Sequence, residues 1–298
     1  MTGAAATRSG AWSGPPTRLD RAVAELGLTR SRAQAQELIQ AGKVRIDGAV
    51  WAKAGARVPA GAIVAVDGSD HYVSRGAHKL LAALDAFGVR PAGRVALDLG
   101  ASTGGFTQVL LESGASVVLA VDVGHGQLAP ALRDDPRVRA VEGCNARDLT
   151  GESLAALTGV TAAPELVVGD LSFISLTLIL PAIARVCASG GEAVLLIKPQ
   201  FEVGRQGIRE GVVVDPELVR GAVRGVLAAA VAAGFGVRGL IPSPITGAAG
   251  NREALVYLRL GEPSDPTEWE GWIRALVPDP TVRGADGVPR SLREAGER

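Results

Sequence analysis

Asp98 and Asp122 are the residues whose placement first suggests chemistry. Asp98 lies in an apolar run, VALDLG, which opens into a glycine-rich turn, DLGASTGGF. Asp122 ends the next apolar run, SVVLAVD. Such a turn normally holds a nucleotide at a helix N-terminus. Its glycines, Gly100, Gly104 and Gly105, do not follow the G-x-G-x-x-G pattern that cradles a pyrophosphate. A carboxylate just before the turn would also repel phosphate there. It would favour an ammonium group instead. S-adenosylmethionine has that ammonium, has a sulfonium, and has no phosphate. Gly100 and Gly104 let the backbone approach such a ligand closely, and Ser102, Gly105 and Phe106 complete the turn. Asp122 is placed to accept ribose hydroxyls. Asn145, in VEGCNARDL after the third strand, is placed to reach the adenine edge.

The elements that position these residues alternate. VALDLG, SVVLAVD, VRAVEG, LVVGDLSF and GEAVLLIKP predict strands, several of them apolar throughout, as in a parallel sheet covered on both faces. Helices are expected from Ser74, over Gly105–Glu112, near Gln127–Arg133, over Ile174–Ala188 and over Pro216–Ala233. GVRGLIP and EALVYLRL follow with no helix between them, so they predict an antiparallel pair at the sheet edge. The fold class is α/β, a Rossmann-like sheet with that final pair, preceded by a small α+β domain.

The small domain reads as helix, helix and short strands. Leu19, Val23 and Leu26 share one helical face. Thr29 is the expected N-cap of the second helix, with Ala33, Leu38 and Ile39 inward. D-G turns at Asp47-Gly48 and Asp67-Gly68 mark the strands. Arg18 to Arg57 holds eight Lys/Arg against four Asp/Glu, in a chain whose totals balance at 31 and 31. Such a basic module suggests an anionic partner. The expected boundaries are a disordered arm at 1–16, the basic domain at 17–68, a linker at 69–74, the α/β domain at 75–261 and a tail at 262–298. In that tail only EWEGWIRALV is able to pack.

Two cysteines and three histidines show no metal-ligand spacing, so no metal is expected. Two isolated thiols suit a reducing compartment. No N-terminal apolar run marks a signal peptide, and no run approaches a membrane span. A cytoplasmic protein without a membrane partner is expected.

Longer motifs carry a resemblance. RLDRAVAELGLTRSRAQAQELIQAGKVRIDG resembles the RNA-binding domain first described in ribosomal protein S-four. The series SRGAHKL, LDLGASTGGFT, VDVGHGQL, NARDL, DLSFISL and IKPQFE resembles the TlyA family, ribosomal RNA methyltransferases of the FtsJ-like class, sometimes labelled haemolysins. The resemblance runs from about Arg18 to Leu260. It implies methyl transfer from S-adenosylmethionine to the 2′-hydroxyl of cytidine in 16S or 23S ribosomal RNA, on ribosomal subunits. It also implies a Lys-Asp-Lys-Glu tetrad at Lys79, Asp170, Lys198 and Glu253, with Asp170 serving the cofactor as well.

The tetrad makes chemical sense. A ribose hydroxyl needs a proton acceptor or a cation to favour its alkoxide. Lys198, packed near a second cation at Lys79, is a candidate base. Asp170 and Glu253 would orient the two lysines. Arg18, Arg30, Arg32, Lys43 and Arg45 in the small domain, with Arg75 and His78 beside Lys79, are the candidates for RNA contact. Phe173 and Phe201 flank the site, as core residues or, alternatively, as base-stacking platforms. DLSF stands where base methyltransferases carry an Asn/Asp-Pro-Pro-aromatic loop, which argues for a ribose target. The alternatives are a non-catalytic ribosome assembly factor and a haemolysin.

Overall fold

A computed structural model describes residues 7–29, 31–67, 71–204, 207–247 and 249–276. The chain divides into two units, Met1–Ser74 and Arg75–Arg298.

In the first unit, β1 (Arg8–Ala11), β2 (Thr17–Arg18), α1 (Leu19–Glu25), α2 (Arg32–Gln40), β3 (Val44–Ile46), β4 (Ala49–Val50), β5 (Arg57–Val58) and β6 (Ile63–Val66) follow in order. A four-stranded sheet runs β1-β6-β3-β4, and β2 pairs with β5. Leu19, Val23, Ile39, Val44 and Val64 form its core. Asp47 and Gly48 both take positive φ, 46° and 84°, as the tight β3–β4 hairpin requires. Gly68, of the second expected turn, lies outside the described residues.

Three expectations change here. Residues 8–11, expected in a disordered arm, pair with β6, and Trp12 is buried behind them. The β6 edge offers N–H and C=O groups that need partners, and RSGA supplies them despite its polar look. The α2 cap is Ser31, not Thr29: Ser31 Oγ accepts from Gln34 N at 3.2 Å. The helix therefore starts later, and Ala35 rather than Ala33 points inward with Ile39.

The second unit contains α3 (Gly76–Phe87), β7 (Val95–Leu99), α4 (Gly105–Glu112), β8 (Val117–Val121), α5 (Pro130–Arg133) and β9 (Val138–Val141). Next come α6 (Gly151–Thr158), β10 (Leu166–Gly169), α7 (Leu176–Val186), β11 (Glu192–Ile197) and α8 (Pro199–Glu202). Last are α9 (Pro216–Ala232), β12 (Phe235–Pro242), β13 (Ala254–Leu260) and α10 (Pro266–Leu276). The seven-stranded sheet runs β12-β13-β11-β10-β7-β8-β9. β7 to β11 are parallel, and β13 is antiparallel to both β11 and β12. β10 and β11 are buried at every position, which explains the apolar runs LVVG and, after Glu192, AVLLI. The strand order reverses between β7 and β10, so a crevice opens there at the carboxyl ends. α10 falls on the tail segment expected to pack, and its Trp269 and Ile273 are buried in the main core.

Candidate active site and cofactor cavity

A cavity of about 540 Å³ lies at that crevice. Gly100, Ser102, Asp122, Asn145 and Asp170 line it, together with Gln127, Cys144 and the loop Leu171–Ile174. Gly100 takes φ +78°, and a Cβ there would sit 3.2 Å from the Asp170 carbonyl oxygen. The turn thus brings its backbone against the next strand end, which only glycine allows without strain. Asp122 is held from within: Oδ2 accepts from Ser102 N at 2.8 Å and Oδ1 from Gly124 N at 2.7 Å. Two backbone donors aim the carboxylate along the cavity edge, and each oxygen retains lone-pair capacity for a hydroxyl. Asn145 Oδ1 accepts from Arg147 N at 3.1 Å, which fixes the carboxamide at the rim.

Four expected cofactor residues do not line this cavity. Gly105 and Phe106 are buried in α4. Gly104, at φ +99°, is glycine for packing: a Cβ there would meet Leu132 Cδ1 at 2.3 Å. Asp98 is fully buried, with Oδ2 accepting from Thr107 Oγ1 at 2.7 Å and Oδ1 lacking a hydrogen-bond partner. Burial pushes its carboxyl up to about 7; the Thr107 hydroxyl pulls it down, and Asp170 and Asp122 add to the rise. Asp98 therefore lies behind the turn and does not line the cavity. Cys144 is half-buried on the cavity wall, and its thiol is pushed up by desolvation and by Asp148. Gln127 and the 171–174 loop were not expected to line the cavity; the position of DLSFI after a strand ending at the crevice was the signal for the loop.

The Asp98 shift has a consequence for stability. A carboxyl whose folded pKa exceeds its unfolded value of ~3.9 contributes stability that is lost as pH rises through the folded pKa. In the unliganded protein, Asp98→Asn is expected to raise thermal stability more at pH 8 than at pH 5. The scale is a few kcal/mol, since one pKa unit is ~1.4 kcal/mol. Thermal melts of both proteins across pH 5–8 check this; equal gains at both ends would contradict it.

Asp170 joins the cavity to a buried cluster of charge. Lys198, at the β11 end, lies 2.6 Å from Asp170 Oδ1, an ion pair without hydrogen-bond alignment. Its Nζ donates to Ser172 Oγ at 2.7 Å. Lys79 Nζ, from α3, is 3.7 Å from Asp170 Oδ2 and 2.6 Å from Glu253 Oε2, just before β13. The order is Lys198–Asp170–Lys79–Glu253. The two lysines, expected near each other with Asp170 and Glu253 orienting them, have the Asp170 carboxylate between them. Lys79, Lys198 and Glu253 are each more than nine-tenths buried.

Phe173, favoured as a core residue, is 91% exposed. It holds φ +64° and lies 5.2 Å from the Phe201 ring, centroid to centroid. Glu202 accepts from Leu176 N at 2.9 Å and from Ser175 Oγ, and burial pushes its carboxyl up. Arg75 and His78 are exposed at the start of α3.

In the first unit, fully buried Asp20 organises two of the expected basic residues. It accepts from Arg18 Nε at 3.0 Å, from Arg32 at 3.0 Å and from Gln36 Nε2 at 2.8 Å. These bonds hold its carboxyl far below the usual carboxylate range. Both arginine side chains stay more than half exposed. Arg45 is paired with Asp67, Lys43 is exposed, and Arg30 lies outside the described residues.

Comparison with known proteins agrees with this architecture. Residues 72–260 match the FtsJ-like methyltransferase family and residues 17–64 the S4 domain. The 16S/23S rRNA (cytidine-2'-O)-methyltransferase TlyA of Mycobacterium tuberculosis is 48% identical over 245 residues, 81% of this chain and 89% of that protein. Hemolysin A of Brachyspira hyodysenteriae is 37% identical over 241 residues, 80% of this chain and 98% of that protein. A solved structure from Streptococcus thermophilus, described as a candidate hemolysin, superposes with a TM-score of 0.68 at 39% identity. It covers 88% of this chain and 96% of its own. No helix among the described residues is long and apolar enough to cross a membrane. The family's cofactor, S-adenosylmethionine, is the ligand for which the turn is suited. The chain belongs to the TlyA family of FtsJ-like methyltransferases that carry an N-terminal S4 domain.

Proposed function

We propose that the protein methylates the ribose 2′-hydroxyl of cytidine in 16S or 23S ribosomal RNA, acting on ribosomal subunits in the cytoplasm. The observation that carries the reading is the shared Asp170. It lines the cofactor cavity and is paired with Lys198 and Lys79. A methyl donor and a hydroxyl acceptor are thereby brought to one carboxylate.

Asp122 is assigned to the cofactor ribose, Asn145 to the adenine edge, and Gly100 and Ser102 to close backbone contact. The bound cofactor supplies an electrophilic methyl group. Lys198 is the group assigned to the acceptor hydroxyl: as the neutral amine it would take the hydroxyl proton while the oxygen–methyl bond forms and the methyl–sulfur bond breaks, the sulfur keeping that electron pair. Asp170 and Ser172 fix its amine, and Lys79 is anchored by Glu253. Exposed Phe173 offers a face on which an unstacked base can lie. Arg18, Arg32 and Lys43, with Arg75 and His78, are assigned to phosphate contact. The name of the Mycobacterium relative, which acts on cytidine, supports the target nucleotide.

Asp122→Ala is expected to weaken S-adenosylmethionine binding by up to a few kcal/mol, the scale of lost hydrogen bonds to a ligand. Calorimetry reads this directly, and unchanged affinity would remove the pocket assignment. The function itself is tested by mapping 2′-O-methyl groups in ribosomal RNA from cells with and without the gene. Cytidine methyls that disappear with the gene support the proposal; an unchanged map opposes it.

A further inference from the structure

We propose that Glu202 is a positioning residue for Lys198, which it serves by bracing the Leu171–Ser175 loop against the segment that carries the lysine; this rests on the functional reading above. Lys198 has a long, flexible stem, so its amine needs external contacts to hold one position. Two of its contacts, Asp170 and Ser172, come from the β10 end and the loop after it.

That loop belongs to no helix or strand, and it includes Phe173 at φ +64°, a conformation that non-glycine residues seldom adopt. Something must hold it in place. Its far end is fixed by Glu202, which accepts from Ser175 Oγ and Leu176 N. Glu202 belongs to α8, and the residue before α8 is Lys198 itself. The contacts form a closed ring: Lys198 to Ser172, along the loop to Ser175, across to Glu202, and back through one helical turn to Lys198. A carboxylate that only supported the α7 N-terminus would need no such link to the lysine. Ser175 already caps that helix through Thr177 N at 3.1 Å.

A double-mutant cycle separates positioning from mere support. Glu202→Ala and Glu202→Gln are made in the full chain, in the parent and in the Lys198→Ala background. Single-turnover methyl transfer to ribosomal subunits is measured for each, with cofactor affinity and thermal melting alongside. In the parent, Glu202→Ala is expected to slow transfer by about 10- to 100-fold, the scale of a misplaced catalytic group. Cofactor affinity should stay within about twofold. Glu202→Gln, which keeps a carbonyl oxygen for Leu176 N, should recover most of the rate. In the Lys198→Ala background, Glu202→Ala should cost almost nothing further. Equal slowing in both backgrounds, or a parent rate changed by less than about twofold, overturns the proposal. If Glu202→Ala melts below the assay temperature, Ser175→Ala, which removes one of the two groups that Glu202 holds, carries the same cycle, with coupling to Lys198 expected and additivity fatal. Absence of transfer by the parent refutes the functional reading itself, and the proposal falls with it.

Discussion

Lys198→Ala is expected to transfer methyl groups about 10²–10⁴-fold more slowly than the parent, the usual contribution of a general base. Cofactor and RNA affinity should stay near the parent values, because the lysine interacts most strongly with the oxygen as it loses its proton. The geometry supports this separation. Lys198 is paired with Asp170 at the cavity wall but does not itself line the cavity. Lys198→Arg is not expected to rescue the rate, since a guanidinium keeps its proton at any usable pH and its planar fork does not replace an amine held by Ser172. Single-turnover transfer to isolated ribosomal subunits is the measurement. An alanine variant within about threefold of the parent would make the lysine a bystander. A fully active arginine variant would leave it a role in charge alone.

Removing the first unit, Met1–Ser74, should have the second large effect, on RNA affinity rather than chemistry. Arg18 and Arg32 are both held by one buried carboxylate and keep just over half of their side-chain surface exposed. That arrangement favours two nearby phosphates. Contacts of several Lys/Arg at over ~1 kcal/mol each imply a loss of about 10²–10³-fold in subunit affinity at low salt. The intact protein should bind less tightly as salt rises, with a slope of about −0.9 per phosphate neutralised. Arg18→Gln with Arg32→Gln should reduce that slope by about two such increments. Filter binding over a salt series measures both. A slope near zero, or full affinity without the first unit, would assign RNA recognition elsewhere. S-adenosylmethionine binding should survive the truncation, because every residue lining the cavity lies after Ser74.

Much of this was legible in the sequence, for identifiable reasons. Parallel strands β8 and β10 carry unbroken apolar runs because both faces are covered, and the final pair follows with no helix between its strands. The tetrad positions stood in recognisable motifs. Their order in space did not, because Lys79 and Glu253 are 174 residues apart and meet only through α3 and the β13 start. The glycine turn was readable as a turn, yet two of its glycines differ in purpose. Gly100 meets the next strand end and Gly104 meets Leu132, a contact made by α5. Phe173 misled because an aromatic beside apolar residues normally packs inward; here a left-handed backbone turns it out. α6 was missed although Thr150 and Gly159 mark its ends, since eight residues give little periodicity. β1 was hidden by composition, as RSGA earns its place through backbone pairing alone.

The central claim is that the cavity and the tetrad act together on a ribose hydroxyl. The most direct test incubates purified protein with ribosomal subunits and S-adenosylmethionine labelled in its methyl group, then digests the RNA with alkali. A 2′-O-methyl blocks cleavage at its own nucleotide, so the label should appear in alkali-resistant dinucleotides that begin with cytidine. Label released in mononucleotides would place the methyl on a base and contradict the account.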